Sequence, residues 1–559
     1  MKKSAIKELK THVVNLGDVQ DVATGTVRLA LSVSDKRHRA TVQFVQGSSF
    51  NQAWAQIADA LAATPLTSWV RIDVVQSIQR ITLAQLQEKL KAMPRMNYWR
   101  QGVSFDADFH TALLEMEING HAFFKPDPQH KIGKNASASW IDFTAVQRYL
   151  TRRNGQTAPE LTQVPYVWTF LTAGIFFDGD RICELDQAAP SRGIRQLTDL
   201  NGTLRTTIDA GERFLQRQIK ADGKFIYGYY PAQQRILSSY NTVRHFSSVY
   251  ALLEAIAFTG QTADLPAVKQ AIQWGIDQLT TTTDGARFVV EQRKNKTPEL
   301  KLGAQAMLIL ALCKYQEVAH DEEFLPVLLE AYHGVTRFLQ PSGRFNHVLN
   351  PDLTVKEAFR IIYYEGEITF ALARLYQITQ DEAVAHLIQQ TLDFMVAHNY
   401  GKYHDHWLSY AINEALQIFP ANRDYMQMGL QNVYDHLTFI EQRDTAYPTL
   451  LELLNAAVKM TDVIKRTGNE DLLESYDLGR LRQAWRYRAG YELLTGSFQP
   501  ELAMYFYYPE KFIGGFFARH DNFRTRIDDC EHFLSGLINY YDYANQGGLD
   551  DDFSRRHCL

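Results

Sequence analysis

Residues 363–395 read YYEGEITFALARLYQITQDEAVAHLIQQTLDFM, two helices around a short polar break. Ile368, Ala371, Leu372 and Leu375 recur at the spacing that lines one helix face, and Val384, Leu387, Ile388, Leu392 and Met395 repeat it in the second helix. Glu365, Gly366 and Glu367 stand at the mouth of the first helix, where free backbone N–H groups favour carboxylates.

Outward from this hairpin the same design recurs from about residue 204 to the C-terminus. Twelve helices are predicted, near 204–220, 242–259, 264–280, 299–318, 322–340, 364–378, 381–397, 403–417, 422–441, 446–466, 469–495 and 527–545. Helices this numerous must stack on one another to bury their faces. Six hairpins closing into a ring is the economical arrangement, and an open superhelix is its competitor. Four of the longer links (222–240, 284–296, 343–352 and 514–526) have a glycine followed shortly by phenylalanine, then basic and polar residues. They are expected as extended excursions at one end of the stack, where a rigid scaffold can carry binding groups.

Residues 1–200 differ. Strands are predicted at 27–34, 40–47 and 69–75, and helices at 49–61 and 77–93. Two hairpins are read at 111–126, turning at Asn119-Gly120, and at 167–185, turning at Asp178-Gly179. The expected organisation is an N-terminal α+β domain (1–200), a linker within 186–203, and an all-α (α/α)6 toroid of about twelve helices (201–559).

Composition narrows the function classes. The 559 residues carry a net charge of -5, which gives no pull toward nucleic acid. There is no apolar run of membrane-spanning length and no visible signal peptide, so a cytoplasmic protein is expected. The four cysteines are scattered without a CxxC, and neither a metal nor a cofactor is expected.

The region from about 204 to 545 resembles the six-hairpin toroid superfamily of carbohydrate-active enzymes, in an uncharacterised bacterial branch. The resemblance lies in GKFIYGYYP (223–231) with YNTVRHFSSVYALLEA (240–255), YYEGEITFALARLY (363–376), HDHWLSYAINE (404–414) and GGFFARHDNFRTRIDDCEHFLSGL (514–537). It implies a carbohydrate ligand and one of several reactions: glycoside hydrolysis, elimination or epimerisation.

The residues themselves offer several constellations. Glu365 and Glu367 diverge by roughly 200° on a helix, so one is a cap group and the other a candidate acid or substrate anchor. Asp405, His406 and Trp407 are placed in the first turn of a helix, the carboxylate held ionised by backbone donors and the indole offering a face to a sugar. The spacing of His404 and His406 is poor for a metal. Asp528 and His532 share a helix face. Hydrolysis needs two carboxylates across the scissile bond, and Asp405 with Asp528, or Glu365 with Asp528, are the candidate pairs, with His406 as a proton carrier. Arg244 and His245, with Arg524, Arg526, His347 and His520, point to an anionic group on the ligand, and Tyr229 and Tyr240 to stacking platforms. In the N-terminal part, Lys131, Lys134, Ser137 and Ser139 form either a small anion site or a surface loop. The leading expectation is hydrolysis of an anionic oligo- or polysaccharide. The competing one is a non-catalytic glycan-binding or accessory protein in cell-surface polymer biosynthesis, docking a protein partner through residues 1–200.

Overall fold

The computed structural model describes residues 1–17, 25–93, 99–133, 136–188 and 190–545. From Leu200 onward the chain builds twelve long helices that alternate between an outer and an inner layer. The inner helices are Thr242–Thr259, Leu302–Ala319, Tyr364–Thr379, His406–Ile418, Thr449–Arg466 and Ile527–Asn545. Each packs against the next, and the last packs against the first, so the ring is closed rather than an open superhelix. Leu200–Gln216, Leu265–Leu279, Leu325–Thr336, Glu382–Ala397, Arg423–Tyr434 and Leu478–Gly496 form the outer layer. The burial follows the layers. The Leu302 helix is buried on every side from Leu302 to Cys313, as a helix in the middle of a protein must be.

All six inner helices begin at the same end of the ring, after the longer links. The links are the extended excursions read from the sequence. Gly228–Tyr230, Arg235–Ile236 and Thr525–Arg526 form one small sheet; Thr280–Thr283, Ala286–Glu291, Glu299–Lys301, Val348–Leu349 and Val355–Glu357 form another.

Glycines set how closely the inner helices meet there. A Cβ on Gly366 would lie 2.5 Å from Leu408 N and 2.6 Å from Asp405 Oδ2, and one on Gly303 would lie 2.1 Å from Glu367 Oε2. At Gly366 the Tyr364 helix meets the backbone of the His406 helix, and at Gly303 the Leu302 helix makes room for the Glu367 carboxyl and the Tyr364 ring.

The N-terminal part is an antiparallel sheet in the order Thr41–Gly47, Val27–Ser34, Trp69–Thr82, Tyr166–Phe177 and Gly102–Ser104, with Ile182–Glu184 also on Tyr166–Phe177. Helices Lys3–Val14 and Phe50–Ala62 cover one face through Leu9, Val13, Trp54, Ile57 and Leu61. The other face, with Trp69, Val75, Phe170 and Phe176, joins the core that continues into the ring. The Asp178-Gly179 hairpin is present. The Asn119-Gly120 hairpin is not: Glu115–Gly120 is a helix, and the strand partners are Phe124–Gly133 and Ala136–Ile141. Strand Trp69–Thr82 also runs through the start of the helix read at 77–93, which begins only at Leu83. Lys134 lies outside the described residues. Among the described residues no helix is long and apolar enough to cross a membrane.

The close helix approach predicts the cost of filling it. Gly366→Ala is expected to destabilise the protein by about 1–3 kcal/mol through overpacking against backbone that cannot give way. Urea unfolding of the two proteins measures this, and equal midpoints would show that the helices separate without penalty.

Candidate active site

The first turns of the inner helices wall a cavity of about 320 Å³ at the link-bearing end of the ring. Arg244, Glu367, His406, Trp407, Asp528 and His532 line it, joined by Tyr363, Tyr447, Phe517 and Glu531. Nine of the residues singled out from sequence are thus brought together: Arg244, Glu367, His406, Trp407, His520, Arg524, Arg526, Asp528 and His532.

Asp405, Glu365, His347, His245, Tyr240, Tyr229 and His404 do not line this cavity, for reasons the geometry makes plain. Asp405 caps its own helix, accepting from Trp407 N at 2.9 Å and Leu408 N at 3.2 Å while buried against Gly366. Glu365 turns to the opposite side of its helix from Glu367, where His347 Nε2 lies 2.8 Å away and the Tyr400 hydroxyl donates to it at 3.3 Å. His347 Nδ1 accepts from the backbone of Arg360 and Ile361, so its proton sits on Nε2, toward Glu365. His347 is therefore a fully buried partner of Glu365 rather than an anion-binding group of the mouth. His245 is also buried, bridging the Tyr240 hydroxyl (2.9 Å) and the Ala271 carbonyl (3.0 Å), so both its ring nitrogens are used. Tyr229 packs edge-on against Phe512. His404 points to the Asn432 carbonyl at 2.9 Å and stacks on His436.

Charge in the cavity is arranged in pairs. Arg244 Nε lies 2.7 Å from Asp528 Oδ2, and Arg526 reaches Asp528 at 3.1 Å and Asp529 at 3.0 Å. Arg524 pairs with Asp521. The arginines read as anion receptors are thus matched by carboxylates of the same links and helix. Burial and the Asp529 charge raise the Asp528 pKa, and the two guanidiniums oppose them.

At the floor, His532 Nδ1 lies 3.0 Å from Glu452 Oε2 and Nε2 lies 3.4 Å from Glu531 Oε2. Burial pulls His532 down, but the charges of Glu531 and Glu452 outweigh it and lift its pKa to about 10. His406 faces it with ring centroids 5.3 Å apart and planes at 74°. Burial, and then the His532 charge, hold His406 well below the ordinary histidine value. Its Nε2 has no hydrogen-bond partner among the described residues and stands 3.8 Å from Glu452. Burial lifts Glu531 to about 8 and raises Glu452 against the His532 charge, so the three share protons; His532 is shifted toward its protonated form and His406 toward its neutral one.

The carboxyl side chains behave oppositely to an exposed acid. Burial lifts Glu367 to about 8 against the His532 charge, and Oε2 has no partner. Asp405 is also raised well above the usual carboxylate range by burial, with Glu367 and Glu365 adding to it, although Trp407 and Leu408 N–H groups pull it down. The expectation of an ionised Asp405 is therefore corrected: two backbone donors do not offset complete loss of water beside two other acids.

Sequence reasoning misses Glu452 and Glu531. Glu452 stands in the largely apolar run LLELLNAAV, and that contrast is the signal that marks it; Glu531, within DDCEHFLSGL, has other polar residues around it and carries no such mark. His406, Glu452 and His532 each bring a ligand atom within 4.8 Å of the others, a spacing a divalent cation can bridge; Asp106, Asp108 and His110 do the same on a more open segment. In the first group the protonated His532 already donates to Glu452, so a cation would have to displace that proton.

No family model and no curated protein matches the chain. Solved structures do resemble it. A D-mannose isomerase matches at 12% identity over 61% of this chain and 97% of that one, with a TM-score of 0.46. A cellobiose 2-epimerase from Bacillus thermoamylovorans matches at 12% over 61% and 99%, with a TM-score of 0.45. An inactive variant of an alpha-1,6-mannanase from Salegentibacter sp., in complex with alpha-1,6-mannotriose, matches at 8% over 61% and 99%, with a TM-score of 0.41.

Two substitutions test the assignments. Asp405→Asn keeps a capping oxygen, so melting temperature and sugar binding are both expected to survive; loss of binding at unchanged melting temperature would return Asp405 to the cavity. Glu367 is protonated in the folded state up to about pH 8, whereas an unfolded glutamate ionises near pH 4.5. The folded chain therefore holds an extra proton between those values, and stability falls as pH rises through that window. Glu367→Gln removes this loss and is expected to gain stability relative to wild type by on the order of 3 kcal/mol between pH 4.5 and 7. Urea midpoints across that range check it, and a difference independent of pH would place an ionised Glu367 in the fold.

Proposed function

We propose that the protein is a carbohydrate-active enzyme that moves a proton on a sugar carbon, an epimerase or isomerase of a neutral sugar. The observation that carries this reading is the His406–His532 pair, two imidazoles facing each other on the cavity wall, one shifted toward its neutral form and the other toward its protonated form. A base and an acid poised side by side are what proton transfer beside a carbonyl requires. In the open-chain sugar, His406 Nε2 takes the proton from the carbon next to the carbonyl. The C–H electron pair forms the carbon–carbon double bond of an enediolate, and the carbonyl oxygen takes the negative charge. Neutral Glu367 is the donor proposed for that oxygen, and His532, its N–H groups turned to Glu452 and Glu531, supplies positive charge beside it. Return of a proton to the other face of the same carbon restores the carbonyl and gives the epimer; return to the former carbonyl carbon, with the hydroxyl proton of the deprotonated carbon passing to the former carbonyl oxygen as the new carbonyl forms, gives the isomer. Trp407 supplies an apolar surface for the ring.

Because Arg244 and Arg526 are already matched by Asp528 and Asp529, the substrate proposed is uncharged. Hydrolysis keeps one supporting observation, the neutral carboxyl of Glu367, which suits a general acid. Its second carboxylate is harder to supply: Asp528 and Asp529 are bound by arginine, and Glu452 and Glu531 face His532. A purely glycan-binding role leaves the uncompensated His406 and Glu367 without a purpose, since unpaired buried polar groups cost stability.

Incubation with neutral aldoses and disaccharides in deuterated water separates these readings. Epimerisation or isomerisation incorporates one carbon-bound deuterium with no cleavage, whereas hydrolysis adds water and splits the glycan. His406→Asn is expected to lower turnover by roughly 10²-fold or more at unchanged melting temperature. The rate is expected to fall on the alkaline side as Glu367 and then His532 lose their protons, between pH 8 and about 10. Full activity of His406→Asn, or no deuterium exchange across the panel, overturns the proposal.

A further inference from the structure

The N-terminal sheet carries a second concave site that shares no residue with the ring cavity. It is a cleft of about 1140 Å³ along the edge strand Thr41–Gly47, closed on the ring side by Tyr507. Three arginines, Arg39, Arg152 and Arg153, reach its wall.

Their charges are poorly matched. Arg153 pairs with Glu117 at 3.1 Å. That carboxylate already accepts from Tyr149 and from Leu114 N. Arg39 has no carboxylate partner among the described residues. Its guanidinium donates to the carbonyls of Gly120 and Ala232, both at 2.7 Å, lies 3.2 Å from His121 Nδ1, and stacks 3.7 Å over the Tyr507 ring. Burial pulls Arg39 down to about 10, and the nearby Arg152 charge adds to that. His121 is pushed well below its ordinary value by burial and then by all three arginines. The cleft therefore holds two guanidiniums beyond those its own acid can balance. Carbonyls and a tyrosine face fix Arg39 in place at a cost in desolvation that an anion would offset.

Shape limits the anion. The volume is far larger than a free phosphate needs and lies just above the usual range of about 300–1,000 Å³ for small-molecule sites. Phe44, Tyr149 and Tyr507 add aromatic surface beside the arginines. Planar guanidinium forks recognise phosphate oxygens bidentately, and aromatic faces accept a flat ring.

We propose that this cleft is a binding site for a phosphorylated small molecule of the nucleoside diphosphate class, its phosphates held by Arg39, Arg152 and Arg153 and its ring laid along the aromatic wall. The site is separate from the chemistry in the ring, and its occupancy does not depend on which reaction the ring performs.

Calorimetric titration of the full chain with inorganic pyrophosphate, uridine diphosphate and uridine tests it. Pyrophosphate and uridine diphosphate are expected to bind and uridine alone to give no heat. Arg152 is exposed, so Arg152→Ala is expected to leave the melting temperature unchanged and to weaken both anions by roughly tenfold. Arg39→Met is expected to weaken them further; should it fail to fold, the Arg152 variant decides. Binding is expected to weaken as salt rises. No binding of either anion at millimolar concentration, or equal binding by wild type and Arg152→Ala, overturns the proposal.

Discussion

The close meeting of three inner helices at their first turns sets the charge states of the whole cavity. Gly366 lets the Tyr364 helix touch the backbone of Leu408, and Gly303 leaves room for the Glu367 carboxyl beside the Leu302 helix. With Cβ atoms at these positions the helix starts would have to part, and water would reach the acids between them. Closed, they place Glu365, Glu367 and Asp405 in one unhydrated layer. Glu367 and Asp405 are both pushed up there, first by the loss of water and then by the neighbouring acids. Packing thus decides protonation as much as residue type does.

The cationic side of that balance is supplied from across the ring. His532 comes from the last helix and Glu452 from the inner helix before it, while His406 comes from the fourth inner helix. These three stand on consecutive inner helices, with His532 and Glu452 80 residues apart in sequence, and closure of the last inner helix on the first adds Arg244 beside Asp528. The arrangement is costly in stability, because buried charges need nearly ideal partners to break even. The apolar inner helices around it, with the Leu302 helix buried on all sides over its first three turns, provide the excess that lets such a site persist.

Legibility in the sequence tracks how local each determinant is. The Thr242–Thr259 helix begins and ends where periodicity places it, and the Ile527 helix begins where expected, since apolar spacing and the Gly260 stop are local signals. The Asn119-Gly120 hairpin fails for a tertiary reason. Gly120 lies where a Cβ would stand 2.5 Å from the Tyr505 carbonyl, so that glycine serves contact with the ring and not a turn. In the site, polar residues at helix starts are readable, and His406, Trp407, Glu367 and His532 do share a cavity. Which way Glu365 turns is not readable, because His347 and Tyr400 are remote in sequence from it. The ionisation of Asp405 is misread for a similar reason: its cap donors are local, while the acids that raise it belong to another helix.

The sheet and the ring are joined in a way that makes the N-terminal part structural for the ring as well. Segment 497–512 leaves the Leu478 helix, runs against the sheet and returns toward the closing Ile527 helix. Along it, Glu501 is fully buried and held by Arg195 Nε and Nη2 at 2.9 and 2.7 Å. The Tyr505 hydroxyl donates to Ser32 at 2.8 Å, and Ala40 N donates to the Met504 carbonyl at 2.7 Å. Arg71, fixed on its strand by Asp73, donates to the Gly193 carbonyl at 2.8 Å. Without these partners Glu501 would be a buried carboxylate with no counter-charge, a loss of about 3–5 kcal/mol for a broken buried pair. That loss would fall on the link that delivers the last inner helix, the one carrying Asp528, Glu531 and His532. The geometry of the cavity thus rests in part on contacts made by a sheet that contributes no residue to its wall.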